Sequence, residues 1–153
     1  MSRPPQLFTT EGTEKTELPL NVERFLSRGN LGVMKDVTGK IIGAAIEVHR
    51  ALGPGLLESA YQECLSSELT LRGIPFLRQL PLPVTYKGTR VDCAYRLDFL
   101  VDEVVVEIKS VSGIEPVHEA QLLTYMRLGQ WKLGLLINFN VRLLASGIRR
   151  FIL

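Results

Sequence analysis

No stretch of the sequence approaches the roughly 20 consecutive apolar residues that a membrane-spanning helix requires, so a membrane partner is not expected. Cysteine is scarce: Cys64 falls in a predicted helix and Cys93 in a predicted strand, in no recognisable spacing. They read as reduced, packed thiols of a cytoplasmic protein rather than a disulfide framework. Residues 1–30 lack the apolar segment of a secretory signal, which points the same way. Charge of one sign is also missing. Lys and Arg total 18 against 16 Asp and Glu, a net +2, and no basic run stands out. A binder that holds nucleic acid by charge alone would carry a larger excess. Any case for a nucleic-acid substrate must therefore come from a site. Internal repeats and low-complexity tracts are absent as well.

The 153 residues are 46% hydrophobic and 22% charged, the balance of one compact domain with a buried core. Residues 1–33 are polar, proline-containing and aperiodic, and read as a flexible arm with a short helical piece near residues 22–27. The domain proper is expected over residues 34–153. Helical periodicity begins at Asp36, with Val37, Ile41, Ile42, Ala45, Ile46, Val48 and His49 on an apolar face and Asp36 or Thr38 as N-cap. Leu52-Gly53-Pro54-Gly55 breaks it. A second helix is predicted over residues 56–72, stopped by Gly73 and Pro75. Three extended segments follow: 76–86, whose Pro81 and Pro83 suit an edge or irregular strand, then 91–101 and 104–109, with a turn at Lys87-Gly88. A helix over 115–128 and strands at 132–138 and 147–153 complete the order ααβββαββ.

The strands 91–101 and 104–109 carry the chemistry. A turn centred on Asp102-Glu103 places Val101 opposite Val104, Phe99 opposite Val106 and Leu97 opposite Ile108, six apolar residues on one buried side. On the other side the same register sets Asp98 against Glu107, with Cβ atoms about 4.5–5.5 Å apart. Like charges facing across a ladder are destabilising unless a cation lies between them. Lys109 shares that side, roughly 6.5 Å beyond Glu107. A hard divalent cation prefers oxygen ligands, and Mg²⁺ is often held by one or two carboxylates plus water. Asp98, Glu107 and Lys109 thus form a candidate metal cradle with a cationic neighbour. Taken singly, each is an ordinary surface charge.

The run Gly55-Leu56-Leu57-Glu58-Ser59-Ala60-Tyr61 resembles the GxxExxY signature of a bacterial family in the PD-(D/E)XK nuclease superfamily. Arg96-Leu97-Asp98 and Glu107-Ile108-Lys109 match its Asp and Glu-x-Lys elements, and Gln121-Leu122-Leu123-Thr124-Tyr125 resembles the Gln-x-x-x-Tyr element of exonuclease-like branches. Leu97 stands where the superfamily name has Pro. The resemblance spans about residues 36–153 and implies a restriction-endonuclease-like α/β fold. That fold has a central mixed sheet flanked by helices in the order αβββαβ, here with an extra N-terminal helix. It implies Mg²⁺ (or Mn²⁺) held by Glu58, Asp98 and Glu107, with Lys109 activating the attacking water and Gln121 supporting the site. Tyr61 and Tyr125 are further support. Nucleic acid, DNA first of all, is the implied substrate, cut by a water held at the metal, and small members often work as homodimers.

Spacing puts His118, Gln121 and Tyr125 on one helix face, which either points at the metal or is a polar stripe. Glu58 alone would be a solvated helix carboxylate, and Glu47 is at most a supporting group. Trp131 reads as a core or edge aromatic. Among Arg72, Arg78, Lys87, Arg90, Arg96 and Arg127, Arg96 is the best phosphate-facing candidate, lying across from Lys109. Three functions follow: a metal-dependent phosphodiester hydrolase acting on nucleic acid, a catalytically silent nucleic-acid-binding or protein-interaction module with the same fold, or a metal-dependent hydrolase of a smaller phosphoester.

Overall fold

The computed structural model describes residues 31–92 and 95–153; residues 1–30 of the expected arm, and Cys93, lie outside them. Helix α1, Leu31–Leu52, starts upstream of both expected caps. Asp36 and Thr38 lie inside it, Asp36 paired with Lys40 one turn on at 2.9 Å. Its buried stripe is Ile41, Ala44, Ala45 and Val48, the spacing that aligns residues on one helical face. Gly53, at φ 66, ends the helix and donates its amide to the His49 carbonyl at 2.8 Å. Helix α2, Glu58–Leu71, ends in a glycine stop: Gly73 has φ 66, its N–H reaches Thr70 O at 3.0 Å, and Ile74 N–H reaches Leu69 O at 2.9 Å. That paired closure satisfies carbonyls the helix would otherwise leave open.

Two of the expected strands divide. The segment expected at 76–86 becomes β1, Leu77–Pro81, and β2, Val84–Tyr86, because Pro81 and Pro83 cannot donate to a continuing ladder. The segment expected at 91–101 yields β3, Thr89–Val91, and β4, Arg96–Val101. Strands β2 and β3 form a separate two-stranded hairpin across Lys87-Gly88, both at positive φ (48 and 79), as a tight hairpin turn demands. Strand β5, Val104–Lys109, is followed by helix α3, Pro116–Gly129, then β6, Leu133–Asn138, a 3₁₀ turn at Leu144–Gly147 and β7, Ile148–Ile152.

The main sheet has five strands in the order β1-β4-β5-β6-β7. Only β5 and β6 are parallel, and α3 is the crossover their parallel pairing requires. Proline-bearing β1 lies at an edge, as expected. One face, with Phe99, Val104, Val106, Ile108, Leu135 and Ile137, packs against α1 and α2. The other, with Leu100, Val105 and Leu136, packs under Leu122, Tyr125 and Met126 of α3 and encloses Trp131. Gly134 lets α3 approach: a Cβ there would lie 2.5 Å from the Met126 sulfur and 3.1 Å from Leu122. This α/β architecture, a mixed sheet covered by helices, is consistent with a restriction-endonuclease-like fold. Among the described residues no helix is long and apolar enough to cross a membrane.

Candidate active site

Strands β4 and β5 pair in the expected register, Val101 with Val104, Leu100 with Val105 and Phe99 with Val106, and Asp102 turns between them at φ 54. Asp is among the few side chains that tolerate this left-handed backbone. The ladder ends at the Phe99–Val106 pair. Side chains take over at the next pair. Asp98 N–H donates to Glu107 Oε1 at 3.2 Å, and Ile108 N–H donates to Asp98 Oδ2 at 2.8 Å. Each carboxyl group thus accepts an amide from the β4–β5 ribbon where a backbone carbonyl would otherwise stand. The departure also turns β4. Five of the six residues expected on one side join the cluster beneath α1 and α2, but Leu97 joins the cluster beneath α3. Gln79, lying between the β1 partners of Leu97 and Phe99, is bent to φ 50.

Asp98 and Glu107 are buried, 8% and 3% exposed. Burial, then the charge of Asp98, pushes the Glu107 carboxyl well above the usual carboxylate range. Burial also raises Asp98, opposed by the Ile108 amide, by its hydrogen bond with Glu107 and by the charges of Lys109 and Arg78. Burial and their mutual charge favour a proton retained by the pair over two ionised carboxylates. Two like charges in so dry a place cannot both ionise without a compensating cation.

Glu58 opens α2 at the mouth of this pair, half-buried. Burial raises its pKa, Lys109 lowers it, and Asp98 and His118 act on it from across the site. Tyr61 explains how the chain delivers Glu58 there. It is fully buried, stacked on Phe139 with centroids 4.6 Å apart, and its hydroxyl donates to Gly53 O at 2.5 Å while accepting Leu56 N–H at 3.2 Å. Tyr61 is therefore a strap on the loop before Glu58, not a group facing the acids. Tyr61→Phe is expected to cost about 1–2 kcal/mol, since it leaves a partly buried carbonyl and amide without their partner; urea unfolding measures it.

On the opposite side Lys109 Nζ donates to Gln121 Oε1 at 3.2 Å, and Gln121 Nε2 donates to Tyr125 Oη at 2.8 Å. The expected helix face does point inward, as a relay that fixes the amine. Burial raises the Tyr125 phenol, which keeps it protonated. His118 has a second task. Its Nδ1 accepts the Glu115 amide at 2.9 Å as part of a capping box that starts α3. Arg96 is exposed and in register with Pro81 of β1. Because β4 and β5 have parted there, the alignment that set it across from Lys109 is not maintained. Glu47 pairs with Arg50 at 3.0 Å. Arg72 and Arg90 pair with Glu68 and Asp92 as ordinary surface ion pairs, whereas Arg78, paired with Glu63, is only 24% exposed, lies over the Phe99 ring and brings its charge to Asp98.

Sequence reading missed Asn138. It is buried, in register with Lys109, and clamps the segment beyond it: Val111 N–H donates to its Oδ1 at 3.1 Å and its Nδ2 donates to Val111 O at 3.0 Å. Asn140 adds Nδ2 to Val111 O at 3.3 Å. An amide side chain at the end of an apolar strand was the available signal. Ser110 Oγ, donating to Leu56 O at 2.6 Å, ties the same segment to the Tyr61 loop.

Among the described residues no three carboxylate, imidazole or thiol side chains converge closely enough to hold an ion as they stand. What converges is the Asp98–Glu107 pair, with Glu58 and Lys109 in electrostatic reach. The donor set nevertheless suits a hard cation, being all carboxylate oxygen, and the proton the pair must keep is what such a cation would replace. A family model described as the PD-(D/E)XK nuclease superfamily matches residues 35–151. No curated protein and no solved structure matches the chain significantly.

Proposed function

Because the chain belongs to the PD-(D/E)XK nuclease superfamily, we propose that it is a divalent-metal-dependent phosphodiester hydrolase acting on nucleic acid, DNA first of all, in the cytoplasm. Within that superfamily we place it in the GxxExxY group, on the run from Gly55 to Tyr61. The observation that carries the reading is the buried Asp98–Glu107 pair beside an amine held in place by its own relay.

In this reading Asp98 and Glu107 hold Mg²⁺ or Mn²⁺, and Glu58 closes the carboxylate set from the start of α2. When bound, such a cation makes water a better nucleophile at neutral pH and offsets charge on a phosphodiester. The protein's own groups do the rest. Asp98 is oriented by the Ile108 amide and Glu107 by a main-chain donor, so neither acid must be ordered when substrate arrives. Lys109 brings a positive charge to the phosphate and the attacking water. Gln121 and Tyr125 restrict where its amine can sit.

Incubation of the purified protein with single- and double-stranded DNA and Mg²⁺ tests the assignment. Lys109→Ala is expected to lower cleavage by about 10²–10³-fold, the scale of losing one aligned charge-stabilising group. Its urea midpoint should stay close to that of the parent, because Lys109 is only half-buried. Full activity in that variant would overturn the reading.

A further inference from the structure

A cleft of about 640 Å³ opens against α3, lined by Val117, Gln121 and Tyr125 of that helix, by Val84 of β2 and by Tyr95 just before β4. Its size falls within the roughly 300–1,000 Å³ of small-molecule sites. Gln121 and Tyr125 belong to both the cleft and the relay that holds Lys109, so whatever lies in the cleft is one side chain away from the amine. Tyr95 is the aromatic available to an occupant. Its main-chain carbonyl is anchored by the Leu82 amide at 2.8 Å, its ring leans edge-on to Tyr125 with centroids 6.1 Å apart, and 47% of it remains exposed. The remaining walls are apolar apart from His118, Gln121 and Thr124. With Nδ1 occupied by the Glu115 amide, His118 carries its proton on Nε2, a donor for a base edge.

The geometry points to a nucleobase subsite: Tyr95 stacks on an unpaired base while the adjoining phosphate lies at Lys109, so single-stranded or frayed nucleic acid is preferred over closed duplex. This rests on the nuclease reading above and adds a substrate class to it. An apolar aromatic cleft suits the π-face of any base, and stacking of this kind tolerates all sequences. Bases inside a duplex are stacked on one another and cannot enter it.

The test is binding of a short single-stranded oligonucleotide carrying one fluorescent base analogue, with a hairpin duplex as comparison and Ca²⁺ in place of Mg²⁺. The parent should bind the single strand more tightly and quench the analogue. Tyr95→Ala should weaken that binding about tenfold, the scale of one lost base–aromatic stack, and abolish the quench; Tyr95→Phe should restore both. Ala120→Trp, which fills the cleft from an exposed position on α3, should block binding without disturbing the fold. Single-strand binding unchanged in Tyr95→Ala and in Ala120→Trp overturns the subsite, and so does equal affinity of the parent for the hairpin. Cleavage that still depends on Lys109 in that case leaves the nuclease reading standing. A parent protein that neither binds nor cuts either DNA overturns both.

Discussion

Glu107→Gln is expected to abolish cleavage and, at neutral pH without metal, to make the protein harder to unfold. The substitution keeps the shape of the side chain and an oxygen to accept the Asp98 amide. It exchanges a carboxyl that burial and the neighbouring charge push toward its protonated form, at a cost at neutral pH, for a permanently neutral amide with an N–H donor beside Asp98. The thermal midpoint should rise by roughly 2–4 °C, the shift that 1 kcal/mol produces in a chain of this size. A residue kept for folding would behave the other way. Calorimetry on the parent and variant, alongside a cleavage assay, gives both halves of the answer. A variant that loses stability and retains activity would show that the pair serves the fold rather than a reaction.

The second large effect is a reversal of pH dependence by metal. In the metal-free protein the Asp98 and Glu107 pKa values are raised, burial being the main cause. From the usual carboxylate range up to those raised values the folded state binds more protons than the unfolded chain. Stability contributed by the pair is therefore fully present below the unfolded pKa and is lost as pH rises through the folded ones. Melting scans without metal should show a higher midpoint near pH 5 than near pH 8. Mg²⁺ or Mn²⁺ at about a hundred times its dissociation constant should stabilise the fold by about 2.7 kcal/mol. That raises the midpoint near pH 8 by roughly 5–10 °C, with little change near pH 5, where protons compete for the same oxygens. Glu107→Gln should remove the metal response. A midpoint that metal leaves unmoved at pH 8 would count against the pair as a cation site.

The ribbon from Arg96 to Lys109 was the most legible part of the sequence. A turn centred on Asp102-Glu103 sets the register, and the structure keeps it from Val101–Val104 to Phe99–Val106. The same reasoning failed at Leu97 and Arg96, since alternation holds only while a ladder continues, and this one ends at Phe99–Val106. The edge strand was readable from its prolines, but not that the chain would use them to split off a hairpin. Helix spacing placed Gln121 and Tyr125 together and the structure joins them to Lys109. Spacing could not show that Tyr61 turns away from the acids to hold a loop, nor that His118 caps its own helix, because both depend on atoms of the preceding loop. The task of Asn138 was unreadable for a related reason: the Val111 main-chain atoms it clamps lie 27 residues away.

The parted end of β4 and β5 makes this site easy to lose and hard to regain. A hairpin is the default for two such apolar strands, and just beyond the Phe99–Val106 pair the side-chain oxygens at positions 98 and 107 accept the Ile108 and Asp98 amides. Drift at either position toward a residue that favours strands would let the ribbon zip shut, and folding would favour the change. Descendants freed from selection for chemistry would thus sit in a deeper energy well than their ancestor, with the opening gone.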